Sequence, residues 1–290
     1  MQQPESRRVD VGPVLRIVEW APPDGAAEYP AIVAVHGLAS NALLWRGAAE
    51  ELVALGHRTV AVDQRGHGRS DKPDGGYDMA TVAADLARLL ESLRDDGINR
   101  PVLAGQSWGG NVVVELAHDR PDLVRGIVAV DGGFIRLRDH FTGWEACAEA
   151  LRPPPIAGTP ASDLRGWMRR SHPDWPESGI DGTMENMEHL DDGTVRPWLT
   201  LERHMAILRG LWEHDPIERL GATEVPVLFV PAVGDGPRSD RTRDAAMRAA
   251  AAAPCARIEW FEGADHDLHA QMPARFARTV HDAVVSGFFA

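Results

Sequence analysis

Cysteine is scarce in this chain, which has two, Cys147 and Cys255. They show no CxxC or Cys/His ligand spacing, so neither a disulfide framework nor a zinc site is expected, and both read as packing residues. Long apolar runs are missing as well. None approaches the about 18 residues a helix needs to span a bilayer, which excludes a transmembrane helix. The stretch from Met1 to Asp10 is polar and charged, without the apolar segment of a signal peptide, so the expected compartment is the cytoplasm. Positive charge is in deficit: the formal net charge is −13. Such a chain repels a phosphate backbone, and its basic residues fall only in short pairs such as Arg169-Arg170, so nucleic acid is not an expected partner. No P-loop or dinucleotide fingerprint is present, and no nucleotide, flavin or metal cofactor is expected. The partner expected is a small-molecule substrate.

What the chain does contain is an alternation of strand and helix patterns. At 290 residues it is long enough for one core with a sizeable insertion. Apolar, β-rich runs recur at Val14 to Val18, Ile32 to Val35, Thr59 to Val62, Val102 to Ala104, Gly126 to Val130, Val227 to Val230 and Arg257 to Phe261. Between several of them lie segments of helical spacing, at Ala42 to Leu55, Thr81 to Leu93, Asn111 to His118, Arg241 to Ala253 and Ala274 to Val285. This order predicts a mostly parallel sheet with helices on both faces, its central strands buried on both sides. The first strand is expected to pair antiparallel at the edge. From about Phe134 to Asp215 the rhythm breaks, no strand-like run occurs, and the sequence turns rich in Pro, Trp and charge. We read residues 134–215 as a mainly helical cap inserted into a core of residues 1–133 and 216–290. Trp144, Trp167, Trp198 and Trp212 fall within it, as cap core or as the wall of an apolar pocket.

Chemistry is concentrated at Gly105-Gln106-Ser107-Trp108-Gly109, a G-x-S-x-G sequence where a predicted strand gives way to a predicted helix. A serine on so sharp a turn needs neighbours without bulk, which Gly105, Gly109 and Gly110 supply. Ser107 is therefore the candidate nucleophile. His36-Gly37-Leu38 follows another predicted strand and could complete an oxyanion hole. Acyl transfer builds negative charge on the carbonyl oxygen, and the backbone amides of Leu38 and Trp108 are the candidate donors.

These segments together resemble the α/β-hydrolase fold family, in its esterase, lipase and carbon–carbon hydrolase branches. The matching stretches are VHGLASNALLW, VAVDQRGHGRSDKP, LAGQSWGGNVVVELA, VPVLFVPAVGD and FEGADHDLHAQMP, in the family's order over nearly the whole chain. The resemblance implies an α/β fold with a mostly parallel sheet of about eight strands, a helical cap after the sixth, and a triad in the order Ser, Asp, His. Its base is expected after the last strand, where His266 follows directly and His269 three residues later, so His266 leads. The acid has three candidates. Asp235 follows the seventh strand, the family's usual place for it, although the glycine usual three residues earlier is Ala232. Asp131 follows the sixth strand, where some relatives carry the acid, or else caps the Gly132-Gly133 turn. Asp240 lies in the same loop as Asp235.

The implied catalyst is thus Ser107, His266 and Asp235, acting on a small or medium-sized carboxylic ester. Asp63-Gln64-Arg65-Gly66-His67-Gly68-Arg69-Ser70 is a hallmark loop of the family, expected to brace the site without proton transfer from His67. Haloalkane dehalogenases and epoxide hydrolases share it but use an aspartate nucleophile where this chain has Ser107, which disfavours both chemistries. Gly-x-Ser-Trp-Gly also resembles proline iminopeptidases, in which case Glu185 and Glu188 could hold a substrate amine; the plainer reading makes them solvated carboxylates. A ligand receptor without turnover and a lyase using the same triad are the readings from other classes.

Overall fold

Strands that must be covered on both faces are built from continuous apolar residues, and the chain supplies several of them. In the computed structural model, which describes residues 3–22, 27–234 and 236–290, every residue of Gly126–Val130 is buried. In chain order the first six strands are β1 (Glu5–Asp10), β2 (Val14–Trp20), β3 (Tyr29–Val35), β4 (His57–Asp63), β5 (Val102–Gln106) and β6 (Gly126–Val130). The helices between them are α1 (Arg46–Ala54), α2 (Met79–Leu93) and α3 (Trp108–Asp119). After β6 the chain forms α4 (Trp144–Ala150), β7 (Thr159–Pro160), α5 (Ala161–Ser171), α6 (Glu177–Met184), β8 (Met187–His189), β9 (Thr194–Pro197), α7 (Leu201–Glu213) and α8 (Pro216–Gly221). The sheet resumes with β10 (Val227–Val230), β11 (Ala232–Val233), α9 (Pro237–Ala252), β12 (Ala256–Ile258) and β13 (Phe261–Glu262), and the chain closes with α10 (Leu268–Gln271) and α11 (Pro273–Val285).

The eight-stranded sheet runs β1-β2-β4-β3-β5-β6-β10-β12, antiparallel at β1/β2 and β2/β4 and parallel beyond. Its fold class is the one the strand and helix alternation predicts. Three details differ. The Val14–Trp20 strand is not the edge, because β1 pairs outside it; ESRRVD is polar because most of its side chains face solvent, and Arg8 ties it to Asp71 at 2.7 Å. The Arg257 to Phe261 run divides into β12 and β13. Pro231, which has no N–H for a ladder, separates β10 from β11, and the partner strand breaks alongside it. The segment after β6 holds a small sheet in the order β7-β9-β8. Its β8/β9 hairpin turns at Asp191-Asp192-Gly193, with Gly193 at φ +81°, an Asp-Gly turn signal flanked by no apolar run.

The loop after β4 is braced from within, as its charges and glycines suggest. Asp63 is fully buried and accepts from the Ala42 amide (2.8 Å), the Arg69 amide (2.9 Å) and the Arg16 guanidinium (3.2 Å). Arg65 grips Asp85 on α2 with two bonds, at 2.5 and 2.8 Å, and also reaches the Gly75 and Gly76 carbonyls. Arg88 also pairs with Asp85. Among the described residues no helix is long and apolar enough to cross a membrane.

Removing Arg65 leaves a buried carboxylate with only the half-exposed Arg88 for compensation. Arg65→Met is expected to lower the unfolding free energy by about 3 kcal/mol, read by urea denaturation. A loss under about 1 kcal/mol would mean that this ion pair does not hold the loop.

Candidate active site

The turn from β5 into α3 places Ser107 at φ 53° and ψ −121°, a backbone conformation that costs a non-glycine residue energy and persists only where its surroundings enforce it. The enforcing contacts are backbone against backbone. A Cβ on Gly105 would lie 2.3 Å from the Gly109 oxygen, one on Gly109 2.4 Å from the His36 oxygen, and one on Gly132 2.2 Å from the Ser107 oxygen. The Ser107 amide donates to the Val130 carbonyl at 2.9 Å, tying the turn to the end of β6. Ser107 caps α3 from its N-terminal side, so the Trp108 amide is the first of the helix and lies at its positive end.

The chain carrying Leu38 passes along the other side of this turn: a Cβ on Gly37 would lie 3.1 Å from the Ser107 Cβ. Two buried imidazoles hold that chain. His36 donates from Nδ1 to the Gly37 carbonyl (2.7 Å), and its Nε2 accepts from the Gln64 amide (3.0 Å). His67 donates from Nδ1 to the Arg65 carbonyl (3.0 Å), accepts from the Ala39 amide at Nε2 (3.2 Å) and stacks on Trp108. An imidazole that accepts at one nitrogen is neutral. Burial pushes the pKa of His36 below its ordinary value and that of His67 well below it. His67 thus braces the Leu38–Ala39 turn, the structural part expected of it.

His266 follows β13, and its Nδ1 lies 2.5 Å from Asp131 Oδ2. Asp131 is the residue directly after β6; it sits at φ 38°, and its Oδ1 accepts from the Ala232 amide at 3.1 Å. The structure therefore brings together Asp131, His266 and the Ser107 turn, with the Gln106 side chain donating to the His266 carbonyl at 3.3 Å. Asp235 lies outside the described residues. Asp240 is exposed in the first turn of α9. His269 is packed against Trp45 with ring centroids 4.0 Å apart, and burial, followed by the nearby His266, pushes its pKa down to about 3.

Trp175 was not among the tryptophans singled out in the sequence, yet it reaches the base loop directly. Its Nε1 donates to Asp265 at 2.9 Å, and His172 contacts the same carboxylate at 3.2 Å. Gln271 accepts from the Asp265 amide (2.6 Å) and donates to Asp174 (2.6 Å). The signal available was W-x-x-S-G in a Pro-flanked loop, too weak to mark a contact with a residue about ninety positions away.

Two cavities flank the site. One of about 600 Å³ runs from Ala39, Ser40 and His67 under Pro153–Ile156, Met187, Trp198 and Leu199, a predominantly apolar wall. The other, about 580 Å³, is lined by Asp131, His266, Phe134, Phe141 and Arg241 among others. Of the four tryptophans considered in the sequence, Trp198 lines the first cavity, held by Lys72 5.0 Å from its ring centre. Trp144 and Trp212 pack on each other under Arg209 and Arg138, and Trp167 is exposed. Glu185 and Glu188 are ion-paired with Arg69 and Arg196.

The sequence profile of the alpha/beta hydrolase family matches residues 32–279. The chain belongs to that family. Over 233 residues it is 31% identical to the 2-(acetamidomethylene)succinate hydrolase of Mesorhizobium japonicum, covering 78% of this chain and 76% of that protein. A crystal structure of E-2-(acetamidomethylene)succinate hydrolase superposes with a TM-score of 0.79 at 26% identity, over 98% of this chain and all of the other. The non-heme chloroperoxidase of Streptomyces lividans is 27% identical over 271 residues, 88% of this chain and 90% of that one. The chain is thus an enzyme of the alpha/beta hydrolase fold, and its named relatives favour hydrolytic chemistry over a receptor without turnover.

Several histidines of this hydrolase-family fold are buried and neutral, which sets the sign of its acid response. Their folded pKa values lie below the ordinary imidazole value of about 6.5, so the unfolded chain binds more protons under acid conditions. Stability is expected to be full above about pH 6.5 and to fall below it, by up to about 1.4 kcal/mol per pH unit for each such histidine. Urea melts from pH 7.5 to 5 test this, and His269→Phe should flatten the acid limb. A wild-type curve that is level to pH 5 would contradict it.

Proposed function

We propose that the protein is a serine hydrolase in which Ser107 is the nucleophile, His266 the base and Asp131 the acid that orients it. The observation that carries this reading is the 2.5 Å contact of His266 Nδ1 with Asp131, beside the strained Ser107 turn. With Nδ1–H donated to the carboxylate, the other ring nitrogen is the one that would take the Ser107 proton. The hydroxyl attacks a carbonyl, the amides of Leu38 and Trp108 hold the oxyanion, and His266 returns the proton to the leaving group. Water then releases the acyl group by the same route in reverse. Asp131 here takes the part that the family's usual pattern gives to Asp235.

The substrate class we propose is a small or medium-sized carboxylic ester whose acyl group lies in the apolar cavity beside Ala39 and Ser40. Residues 134–215 act as the lid over it. An amide is the second reading, favoured by the relative whose name is 2-(acetamidomethylene)succinate hydrolase. The ion pairs of Glu185 and Glu188 speak against a substrate amine held there.

A fluorophosphonate probe is expected to label wild-type protein at Ser107 and to leave Ser107→Ala unlabelled. Asp131→Asn should lower kcat by about 10⁴-fold, the scale seen when a triad acid is neutralised elsewhere, and Asp235→Asn far less. Steady-state kinetics on short-chain p-nitrophenyl esters measure both, and the reverse ranking would return the acid to Asp235.

The lid should show itself in chain-length selectivity. Trp198→Ala is expected to cost about 1–3 kcal/mol in kcat/KM for longer acyl chains, from the apolar area it leaves unburied. The same change at Trp144, Trp167 or Trp212 should leave the chain-length profile flat. An unchanged profile in Trp198→Ala would separate the 600 Å³ cavity from substrate binding.

A further inference from the structure

One buried amide outside the triad joins three pieces of chain that the reaction needs in register. Asn111 lies on α3 one helical turn past Ser107 and is fully buried. Its Oδ1 accepts from the Gly133 amide at 3.0 Å and the Ile135 amide at 3.4 Å, and its Nδ2 donates to the Ile135 carbonyl at 2.8 Å. Gly133 and Ile135 stand two and four residues after Asp131, on the chain that leaves the core for the insertion. The same Nδ2 lies 3.1 Å from Nδ1 of His214, where the insertion returns. The backbone partners fix which end of the amide is oxygen and which is nitrogen. His214 must therefore accept at Nδ1 and carry its proton on Nε2, which faces Glu115 on α3 at 3.1 Å; Arg219 closes the network on Glu115 at 2.9 Å.

The site of this clasp matters because its neighbours are under strain. Asp131 is held at φ 38°, and the turn after it is wedged against the Ser107 backbone, where a Cβ on Gly132 would clash. A Cβ on Gly110 would likewise lie 2.5 Å from the Gly133 amide nitrogen. Contacts this tight exclude bulk. Asp131 itself is tied to the neighbouring strands through its amide on the Val230 carbonyl at 2.9 Å and its Oδ1 on the Ala232 amide, and the turn after it is tied to α3 by the bonds from Asn111.

We propose that Asn111 is a positioning residue that anchors the turn behind Asp131 to the nucleophile helix, so that the acid meets His266 in line with Ser107. This rests on Asp131 being the triad acid. The test is a double-mutant cycle on the full chain with Asn111→Leu, which keeps the side chain's size without its bonds, and Asp131→Asn. Alone, Asn111→Leu should lower both kcat and the rate of fluorophosphonate labelling about tenfold to a hundredfold, with KM little changed. In the Asp131→Asn background it should have almost no further effect, because the group it positions no longer works. An equal loss in both backgrounds would overturn the proposal and leave Asn111 a stability residue. A silent Asp131→Asn would instead remove the acid assignment, and the proposal with it. Should Asn111→Leu fail to fold, Asn111→Ser takes its place in the cycle.

Discussion

The site depends on backbone packed directly on backbone around Ser107. Three glycines at 105, 109 and 132 let the end of β5, the start of α3, the chain at Val35 and His36 and the turn after β6 approach closer than any side chain permits. Amides held in this way are fixed before any ligand arrives, and here part of that fixing is steric. The cost is a strained Ser107 and a strained Asp131, and the neighbouring hydrogen bonds offset it.

Around this centre the polar groups divide the work by burial. His36, His67 and Asp63 are buried and point their lone pairs at backbone amides, shaping the chain on either side of Leu38 without exchanging protons. His266 is only partly buried, and its ring pairs with a carboxylate instead of a carbonyl. An imidazole that accepts from an amide is held neutral, as His36 and His67 are, whereas His266 meets a carboxylate, so the same residue type has different partners within one site.

The sheet and the Ser107 turn were legible in the sequence because each is written locally: AIVAV and GIVAV as doubly buried strands, G-x-S-x-G as a turn that needs glycine. His266 stands out in the sequence by its place after the last strand, and the structure sets it against Asp131. The partner of that histidine was not legible, because three aspartates end strands or begin loops in equivalent ways, and only the fold shows that Asp131 comes within 2.5 Å of it. β1 was missed because an edge strand whose residues face water has no apolar pattern to find. Asn111 and Trp175 escaped for another reason, since an amide or an indole gains its meaning only from residues distant in the chain.

The loop from His172 to Trp175 touches Asp265 and Gln271, on either side of His266, while Trp198, at the other end of the same insertion, walls a cavity. The segment after β6 is therefore not an interchangeable module. Grafting it between homologous enzymes would transplant the cavity wall and at the same time cut the struts beside His266, unless the acceptor chain supplied an aspartate and a glutamine in those two places.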